Sequence, residues 1–222
     1  MKDIINLVEA NLAYTKKTKG LDCFMQIGAN CGDDEFTQLC KLYNPNKIVL
    51  VEPHSRYLKD LQKCYEGLPY TIENVAVVTD ESVKTVTLYF PDCELKRGQH
   101  STLVPMNDWN SGFPVPDIKA TTFSALTNKH NITKIDLLMI DTEGYDVSII
   151  DSIDFNKIDL RHIVFESWKF PTDKCYDKDH QHLFGTEGIE YIDKKLTSLG
   201  FTVIHDTEDY YAFRSYDDFF IH

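Results

Sequence analysis

Short apolar runs alternate along this chain with stretches in which apolar residues return every three or four positions. Continuous apolar runs of about four to eight residues predict buried strands, whereas the second spacing predicts amphipathic helices. The predicted strands are, in order, CFMQI, KIVLVEP, YTIENVAVV, VKTVTLYF, KIDLLMID, RHIVFES, FTVIH and DYYAF. VKTVTLYF alternates apolar with polar residues and is therefore predicted to be half exposed.

Helices are predicted between these strands. They cover residues 3–17, 36–43, 57–65 and 147–150, and a last helix that Thr186 caps and that Gly200 ends in a left-handed conformation. Residues 91–117 contain four prolines and no clear period, which predicts a long irregular loop. A loop of that length in a compact domain is usually functional or disordered.

This alternation predicts an α/β fold with a mostly parallel sheet that helices cover on both faces. The length of 222 residues favours one large domain. We expect an N-terminal helix, residues 1–20, that packs on a single domain of residues 21–222. Because such sheets bind ligands at the carboxyl ends of their strands, functional residues are expected directly after the strands.

Composition and charge narrow the class of partner. The formal net charge of −12 argues against a nucleic-acid partner, since binding to a phosphate backbone needs clustered Lys and Arg. The sequence has no long apolar run and no N-terminal signal segment, so we expect no membrane span and a cytoplasmic location. Its six cysteines form no C-x-x-C pair, which favours neither a metal site nor a disulfide framework.

A glycine turn in QIGANCG is the first feature that points to a ligand. Gly28 follows the first strand and Gly32 opens the first helix, where glycines let the backbone turn tightly and approach a ligand. Glu52 stands at the tip of the second strand, where a carboxylate can accept both hydroxyl protons of a ribose. Together these residues predict a ligand that contains adenosine.

The spacing of the glycines distinguishes between adenosine ligands. A dinucleotide site is typically G-x-G-x-x-G, because a pyrophosphate rests on exposed amides at a helix N-terminus. Here the pattern is G-x-x-x-G, and Asp33 and Asp34 are expected in the first turn of the helix, where they would repel a pyrophosphate. A sulfonium and an ammonium would tolerate these acids. The pattern therefore favours S-adenosylmethionine over NAD.

From about Cys23 to Arg214 the chain resembles the FkbM-type S-adenosylmethionine-dependent methyltransferases. The resemblance rests on an ordered set of motifs: QIGANCG, VEP, ENVAVV, ATTFSAL, KIDLLMIDTEGYD, IVFES and LTSLGFTVI followed by DYYAF. It implies a Rossmann-like class I methyltransferase fold, with a seven-stranded sheet whose last strand is antiparallel.

The resemblance also implies a set of cofactor contacts. Gln26 would help to hold the amino group of the cofactor, and Glu52, with Pro53 beside it, would hold the ribose. Asp141 would be a further contact with the cofactor or the acceptor. The methionine part would be lined by Gly28, Ala29, Asn30 and Gly32, and the adenine would lie near Asn74, Val75 and Ala76.

The chain departs from the family pattern at three positions. Gln26 stands where the family usually has an acid, which would weaken cofactor binding slightly. Met139 replaces a usual lysine and leaves the following carboxylates without a nearby cation, and Ser124 stands where an Asp is common. Gln26 and Met139 together raise the alternative that the chain is a non-catalytic scaffold that binds S-adenosylmethionine.

Carboxylates after the later strands are the candidate catalytic groups. Asp141, first, and Glu143, second, follow KIDLLMI, and a carboxylate within hydrogen-bond reach of an acceptor hydroxyl can act as general base. Glu166 ends another strand. These three acids together form a candidate Mg²⁺ site, although a site without metal is the favoured interpretation.

Two segments are candidates for the acceptor site. His100 and His180 are alternative general bases, one in the long loop and the other after a strand-end acid. The same segments hold other side chains that could act on or stack against an acceptor: Ser101, Thr102, Trp109, Trp168, Tyr176 and His182.

The sequence thus predicts an enzyme that methylates a hydroxyl group on a small-molecule or carbohydrate acceptor. The family resemblance alone indicates a sugar, a glycolipid headgroup or a natural product. The alternatives are the non-catalytic scaffold and, less favoured because the third glycine is missing, an NAD-dependent oxidoreductase. The oligomeric state is not determined by the sequence.

Overall fold

The computed structural model describes residues 2–90, 101–103, 113–166, 185–206 and 209–214. Its helices are α1 (Lys2–Lys19), α2 (Glu35–Tyr43), α3 (Leu58–Cys64), α4 (Phe123–Lys129), α5 (Asp146–Asp151) and α6 (Gly185–Ser198), and a single 3₁₀ turn, Ser55–Tyr57, precedes α3. Its strands are β1 (Cys23–Ile27), β2 (Lys47–Val51), β3 (Tyr70–Glu73), β4 (Ala76–Val78), β5 (Thr85–Phe90), β6 (Phe113–Thr122), β7 (Lys134–Ile140), β8 (Asp159–Glu166), β9 (Thr202–His205) and β10 (Asp209–Phe213).

The main sheet has seven strands in the order β3-β2-β1-β7-β8-β10-β9. All of them run parallel except β10, which is antiparallel to both of its neighbours. This is the mostly parallel sheet with an antiparallel last strand that defines the class I methyltransferase fold, and the prediction of the fold is confirmed. The chain reverses its direction along the sheet between β1 and β7, so a ligand crevice is expected at the ends of these strands.

Helices cover both faces of this sheet, as predicted. On one face, side chains such as Met25 of β1 pack with residues of α4, α5 and α6 in one apolar cluster. On the other face, Phe24 packs with residues of α1, α2 and α3 in a second cluster. Because both faces are buried, β1 is buried at every position, which explains its continuous apolar sequence.

The N-terminal helix α1 packs on the second of these faces. Its residues Ile4, Val8 and Leu12 are buried, and they follow the helical spacing that the sequence predicted. The boundary between this helix and the rest of the domain stays a prediction. None of the helices in the described ranges has the length and apolar character needed to cross a membrane.

The segment YTIENVAVV, predicted to be one strand, forms two. β3 extends the main sheet beside β2, whereas β4 leaves it and joins β6 in a separate three-stranded sheet of order β4-β6-β5. Asn74 lies at the break, and its side-chain amide donates to the backbone carbonyls of Glu52 at 2.8 Å and Pro53 at 3.0 Å. This side-chain bonding anchors the chain to the loop after β2 at the point where a continuous strand would pass.

The predicted loop of residues 91–117 is shorter than expected at its end, because β6 begins at Phe113. Pro114 and Pro116 lie within this strand, which pairs with β5 on one edge and with β4 only at residues 120–122. Proline is tolerated in a strand where its missing N–H would face an edge without a ladder. Residues 91–100 and 104–112 of the predicted loop lie outside the described residues.

Both predicted ends of the last helix can be compared with the structure. α6 begins at Gly185, so Thr186 lies within its first turn and the prediction that Thr186 caps it is wrong. Gly200 has a φ of +84°, which confirms the left-handed residue expected after the helix.

Candidate functional site

A cavity of about 590 Å³ lies at the carboxyl ends of β1, β2 and β7. Gly28, Glu52, Ala76 and Asp141 border it, and we call it the first cavity. Val75, Pro53, Asn30 and Glu143 also line it. Its place is the one expected for a ligand in a sheet of this order.

Gly28 forms the floor of the first cavity with a backbone that other residues could not adopt there. Its φ is +89°, and a Cβ atom at this position would overlap the carbonyl oxygen of Asp141. The strands fix this close approach, since Gly28 donates its N–H to the carbonyl of Val51 at 2.9 Å and Asp141 donates to that of Ile27 at 2.9 Å. The glycine is therefore required by its positive φ and by the close approach of the Asp141 backbone, and its approach to a ligand stays a prediction.

In the rest of the glycine turn, Gly32 and Ala29 pack toward the protein interior, whereas Asn30 lines the first cavity. Gly32 has a φ of +78°, and a Cβ there would come within 2.8 Å of Leu61 in α3. Ala29 is buried in the apolar cluster beneath the turn. Asp34 is the N-cap of α2 and accepts from the N–H of Thr37 at 2.9 Å, so the prediction that it lies in the first turn is wrong.

Glu52 lies at the tip of β2 with its carboxylate held by two backbone amides. Its Oε2 accepts from Asn30 N–H and its Oε1 from His54 N–H, both at 2.7 Å. The side chain is only 5% exposed, and burial raises the pKa of Glu52 to about 7, although the two amide hydrogen bonds oppose the rise. The amides orient the carboxylate, and each oxygen keeps a lone pair for a further donor.

The predicted adenine contacts divide into two groups. Val75 and Ala76 line the first cavity, at the point where the chain passes from β3 to β4. Asn74 instead binds the carbonyls of Glu52 and Pro53 through its side chain, so it positions the loop that carries Glu52.

Asp141 borders the first cavity and a neighbouring one, so solvent reaches its side chain from the cavities. Crowding by the surrounding protein raises the pKa of Asp141 well above its usual range, and the nearby carboxylates of Glu143, Asp146 and Glu166 add to the rise. Glu143 is buried with a φ of +56°. Asp146 accepts from the Thr142 hydroxyl at 2.7 Å, which fixes the turn after β7.

The neighbouring cavity, of about 500 Å³, lies where β1, β7 and β8 end beneath the start of α1, and we call it the second cavity. Five carboxyl side chains border it: Asp34, Glu35, Asp141, Glu166 and Asp209. Its apolar wall includes Ile4, Ile5 and Met139, and no Lys, Arg or His is among the described residues that line it. The cavity therefore offers hydrogen-bond acceptors and negative charge.

Gln26 lies in the second cavity rather than the first. Its Nε2 donates to Asp34 Oδ2 at 2.7 Å and lies 4.0 Å from the sulfur of Met139. The side chain is 2% exposed, and its Oε1 has no donor among the described residues. Two of the three departures from the family pattern, Gln26 and Met139, are thus neighbours on adjacent strands.

Several predicted acceptor-site residues lie outside the described residues. They are His100, Trp109, Trp168, Tyr176, His180 and His182. Of the same segments, Ser101 lines the first cavity beside Leu103, and Thr102 exchanges backbone hydrogen bonds with Tyr89 of β5. Residues 101–103 therefore lie against the edge of the first cavity.

Sequence reasoning missed part of the wall of both cavities. Tyr57, Leu88 and Leu103 line the first cavity, and Asp209 lines the second. Leu88 falls on the apolar side of an alternating strand, so burial of its side chain was predictable. The sequence did not show which part of the protein that side of the strand faces. Asp209 follows a turn near the end of the chain and reaches the cavity only because β10 pairs with β8.

Comparisons with known proteins identify the family. The family described as "Methyltransferase FkbM domain" matches residues 22–203, which is more than half of the chain. In a comparison with curated proteins, no sequence matched.

Three solved structures illustrate the likenesses in fold. The precorrin-6y C5,15-methyltransferase of Geobacter metallireducens GS-15 is 10% identical, with 92% of this chain and 86% of that chain covered and a TM-score of 0.45. A human methyltransferase 10 domain containing protein is 12% identical, with coverages of 96% and 81% and a TM-score of 0.47. A SAM-dependent methyltransferase of Leishmania major is 14% identical, with coverages of 96% and 73% and a TM-score of 0.43. Likenesses at this level carry no argument about chemistry.

Proposed function

This chain belongs to the methyltransferase FkbM domain family, and we propose that it transfers a methyl group from S-adenosylmethionine to a hydroxyl group. The acceptor we propose is a small molecule or carbohydrate: a sugar, a glycolipid headgroup or a natural product. One observation carries the cofactor assignment. Gly28 and the buried, oriented carboxylate of Glu52 face one cavity from the ends of adjacent strands.

The residues of the first cavity fit this cofactor. The open lone pairs of Glu52 suit the two hydroxyls of a ribose, and Val75 and Ala76 offer apolar contact to an adenine. Gly28 lets the turn after β1 pass against the backbone of Asp141, where a side chain would collide, and so shapes the floor on which the methionine part would lie. When bound, the cofactor supplies a methyl group on a sulfonium.

Asp141 is the residue we propose as general base. The cofactor, held by Gly28 and Glu52, would supply the methyl group to the acceptor oxygen and would keep the electron pair of the broken carbon–sulfur bond on sulfur. The hydroxyl proton passes to the carboxylate of Asp141. Because the pKa of Asp141 is raised, its ionised form is a stronger base than an ordinary carboxylate. Glu143, on the same turn, is the second candidate.

A second candidate function is a scaffold that binds the cofactor without turnover. The observation that favours it is the pair Gln26 and Met139, which leaves the described wall of the second cavity without a basic side chain. Family membership supports methyl transfer over an NAD-dependent oxidoreductase. The cytoplasmic location stays a prediction.

Methyl transfer from isotopically labelled cofactor distinguishes the two candidates. The purified protein would be incubated with methyl-labelled S-adenosylmethionine and a panel of monosaccharides, glycolipid headgroups and polyketide alcohols, and products would be analysed by mass spectrometry. We expect a labelled methyl ether together with S-adenosylhomocysteine. Label on nitrogen or carbon would contradict the proposed acceptor group. Cofactor binding with no transfer to any hydroxyl would favour the scaffold.

The variant Asp141→Asn separates the role of a base from that of a binding residue. Asparagine keeps the shape of the side chain but cannot accept the proton as a carboxylate does. We expect turnover to fall far more than the affinity for S-adenosylhomocysteine. Equal losses in both would make Asp141 a binding residue only.

A further inference from the structure

Three carboxylates converge on the wall between the two cavities. Ile140 of β7 pairs in register with Phe165 of β8, so the residues that follow them, Asp141 and Glu166, come side by side. Glu143 joins them from the turn after β7. One carboxylate oxygen from each of the three residues lies within 4.8 Å of the other two.

Gln26 provides a second and independent indication of a ligand. It borders the second cavity together with Asp141 and Glu166, and it is 2% exposed. The hydrogen bond from its Nε2 to Asp34 fixes the amide, so the oxygen is its remaining polar end. That oxygen has no donor among the described residues. A buried carbonyl oxygen without a partner is unfavourable, and a bound cation or its water would remove this penalty.

The chemistry of these groups favours a hard cation. All the groups are oxygen donors, and neither Cys nor His belongs to the described cluster. Mg²⁺ and Mn²⁺ prefer carboxylates, amide carbonyls and water, and Mg²⁺ is typically held by a few carboxylates while it keeps several waters. The adjoining cavity gives the ion a path from solvent and space for those waters.

We propose that Asp141, Glu143 and Glu166 bind one divalent cation, Mg²⁺ or Mn²⁺, between the two cavities. The bound ion neutralises carboxylates that otherwise repel one another. Binding of the ion does not require that the chain is an enzyme. With the ion bound, Asp141 is a ligand rather than the base, and the ion would itself lower the pKa of an acceptor hydroxyl; this role rests on the proposed function.

Mn²⁺ binding tests the site directly, because the electron paramagnetic resonance signal of free aqueous Mn²⁺ is lost on binding. Mn²⁺ would be titrated into the full-length protein, and Mg²⁺ would then be added as competitor. We expect one Mn²⁺ per chain, displaced by Mg²⁺, with Glu166→Gln weakening binding at least tenfold. Asp141→Asn is the second variant and should act in the same direction. Circular dichroism would check that each variant is folded.

Glu35→Gln is the matched control, since it removes the same charge from the second cavity without removing a proposed ligand. We expect its Mn²⁺ affinity to stay within about threefold of the wild type. No bound Mn²⁺ at millimolar concentration would overturn the proposal. Equal losses in Glu166→Gln and Glu35→Gln would also overturn it, because they would show diffuse attraction by the acidic cavity.

The same experiment separates this inference from the proposed function. Mn²⁺ binding is measured without cofactor or turnover, and binding of S-adenosylhomocysteine is measured separately by calorimetry. A protein that binds S-adenosylhomocysteine but no Mn²⁺ would refute the cation site alone. A protein that binds Mn²⁺ but not S-adenosylhomocysteine would refute the cofactor assignment alone.

Discussion

The two cavities share Asp141 but satisfy their carboxylates in different ways. In the first, Glu52 is held at 2.7 Å by two backbone amides from its own and the neighbouring loop. In the second, five carboxyl side chains line the same cavity as Gln26, whose amide oxygen has no donor among the described residues, and no basic side chain is among the described residues that line it. The backbone therefore organises the first cavity, whereas the described wall of the second is acidic and suits the cation that we propose.

This difference predicts which substitutions should impair ligand binding in each cavity. Backbone amides hold Glu52 in place before any ligand arrives, so cofactor binding should depend on the loops that aim those amides. Carboxylates that face one another are stabilised most by a bound cation. The charge state of the second cavity should therefore depend on whether a cation is bound there. Changes to the loops and changes to the acids are thus expected to have separable effects.

The largest effect is expected from Gly28→Ala, because this substitution distorts the backbone turn that forms the floor of the first cavity. The added methyl group would collide with the carbonyl of Asp141, at a φ that L-residues rarely adopt. We expect more than a hundredfold loss of affinity for S-adenosylhomocysteine in calorimetry, or loss of the folded state in thermal unfolding.

The matched control is Gly67→Ala, at a similar φ of +83° with nothing within 4 Å of the added atom. It should cost only the backbone strain of about 1–2 kcal/mol and leave affinity unchanged. Equal effects of the two substitutions on binding would show that the close approach at Gly28 is unimportant.

The next effect is expected from Glu52→Ala. If two ribose hydrogen bonds to a charged group are lost, binding should weaken by about 1–3 kcal/mol, which is roughly five- to 150-fold. Calorimetry with S-adenosylhomocysteine measures this loss. Glu66→Ala, an exposed acid that borders neither cavity, should leave affinity unchanged. An unaltered affinity in Glu52→Ala would disprove the ribose contact.

The pH dependence of S-adenosylhomocysteine binding also tests the contact between Glu52 and the ribose. Burial raises the pKa of Glu52 to about 7, and donors from a ribose favour its ionised form. The ionised fraction rises about tenfold between pH 6 and pH 8, so affinity for S-adenosylhomocysteine should rise by about that factor. Glu52→Gln cannot ionise and should flatten this part of the profile. A wild-type profile that the substitution leaves unchanged would assign the dependence to another group.

The smallest effect is expected from Asn74→Ala, which removes the two side-chain hydrogen bonds to the loop after β2. Each is worth about 0.5–1.5 kcal/mol, so the melting temperature should fall by several degrees and cofactor affinity a few-fold. Asn46→Ala removes only a longer, exposed bond to Asp22 at 3.4 Å and serves as control. Equal shifts in the two variants would show that Asn74 does not support Glu52.

Features fixed by neighbours in sequence were predictable. The turn at Gly28 follows from a strand that ends in glycine, and Glu52 is placed by the strand next to it. Both predictions needed only the period of the apolar residues and the rule that ligands bind at strand ends. Their roles toward the cofactor stay predictions.

Features that depend on distant pairing were not predictable. The side chain of Asn74 reaches the loop after β2, so the strand breaks where its composition suggests continuity. Gln26 and Met139 stand out in the sequence as departures from a pattern, but their contact follows from the pairing of β1 with β7. The acidic wall of the second cavity likewise requires the register of β7, β8 and β10.

Calorimetric titration of the purified protein with S-adenosylhomocysteine, with NAD as control, tests the assignment of the first cavity. We expect one site per chain with micromolar affinity for S-adenosylhomocysteine, none for NAD, and weaker binding in Glu52→Ala. Binding of NAD instead, or of neither ligand, would contradict the assignment of the first cavity.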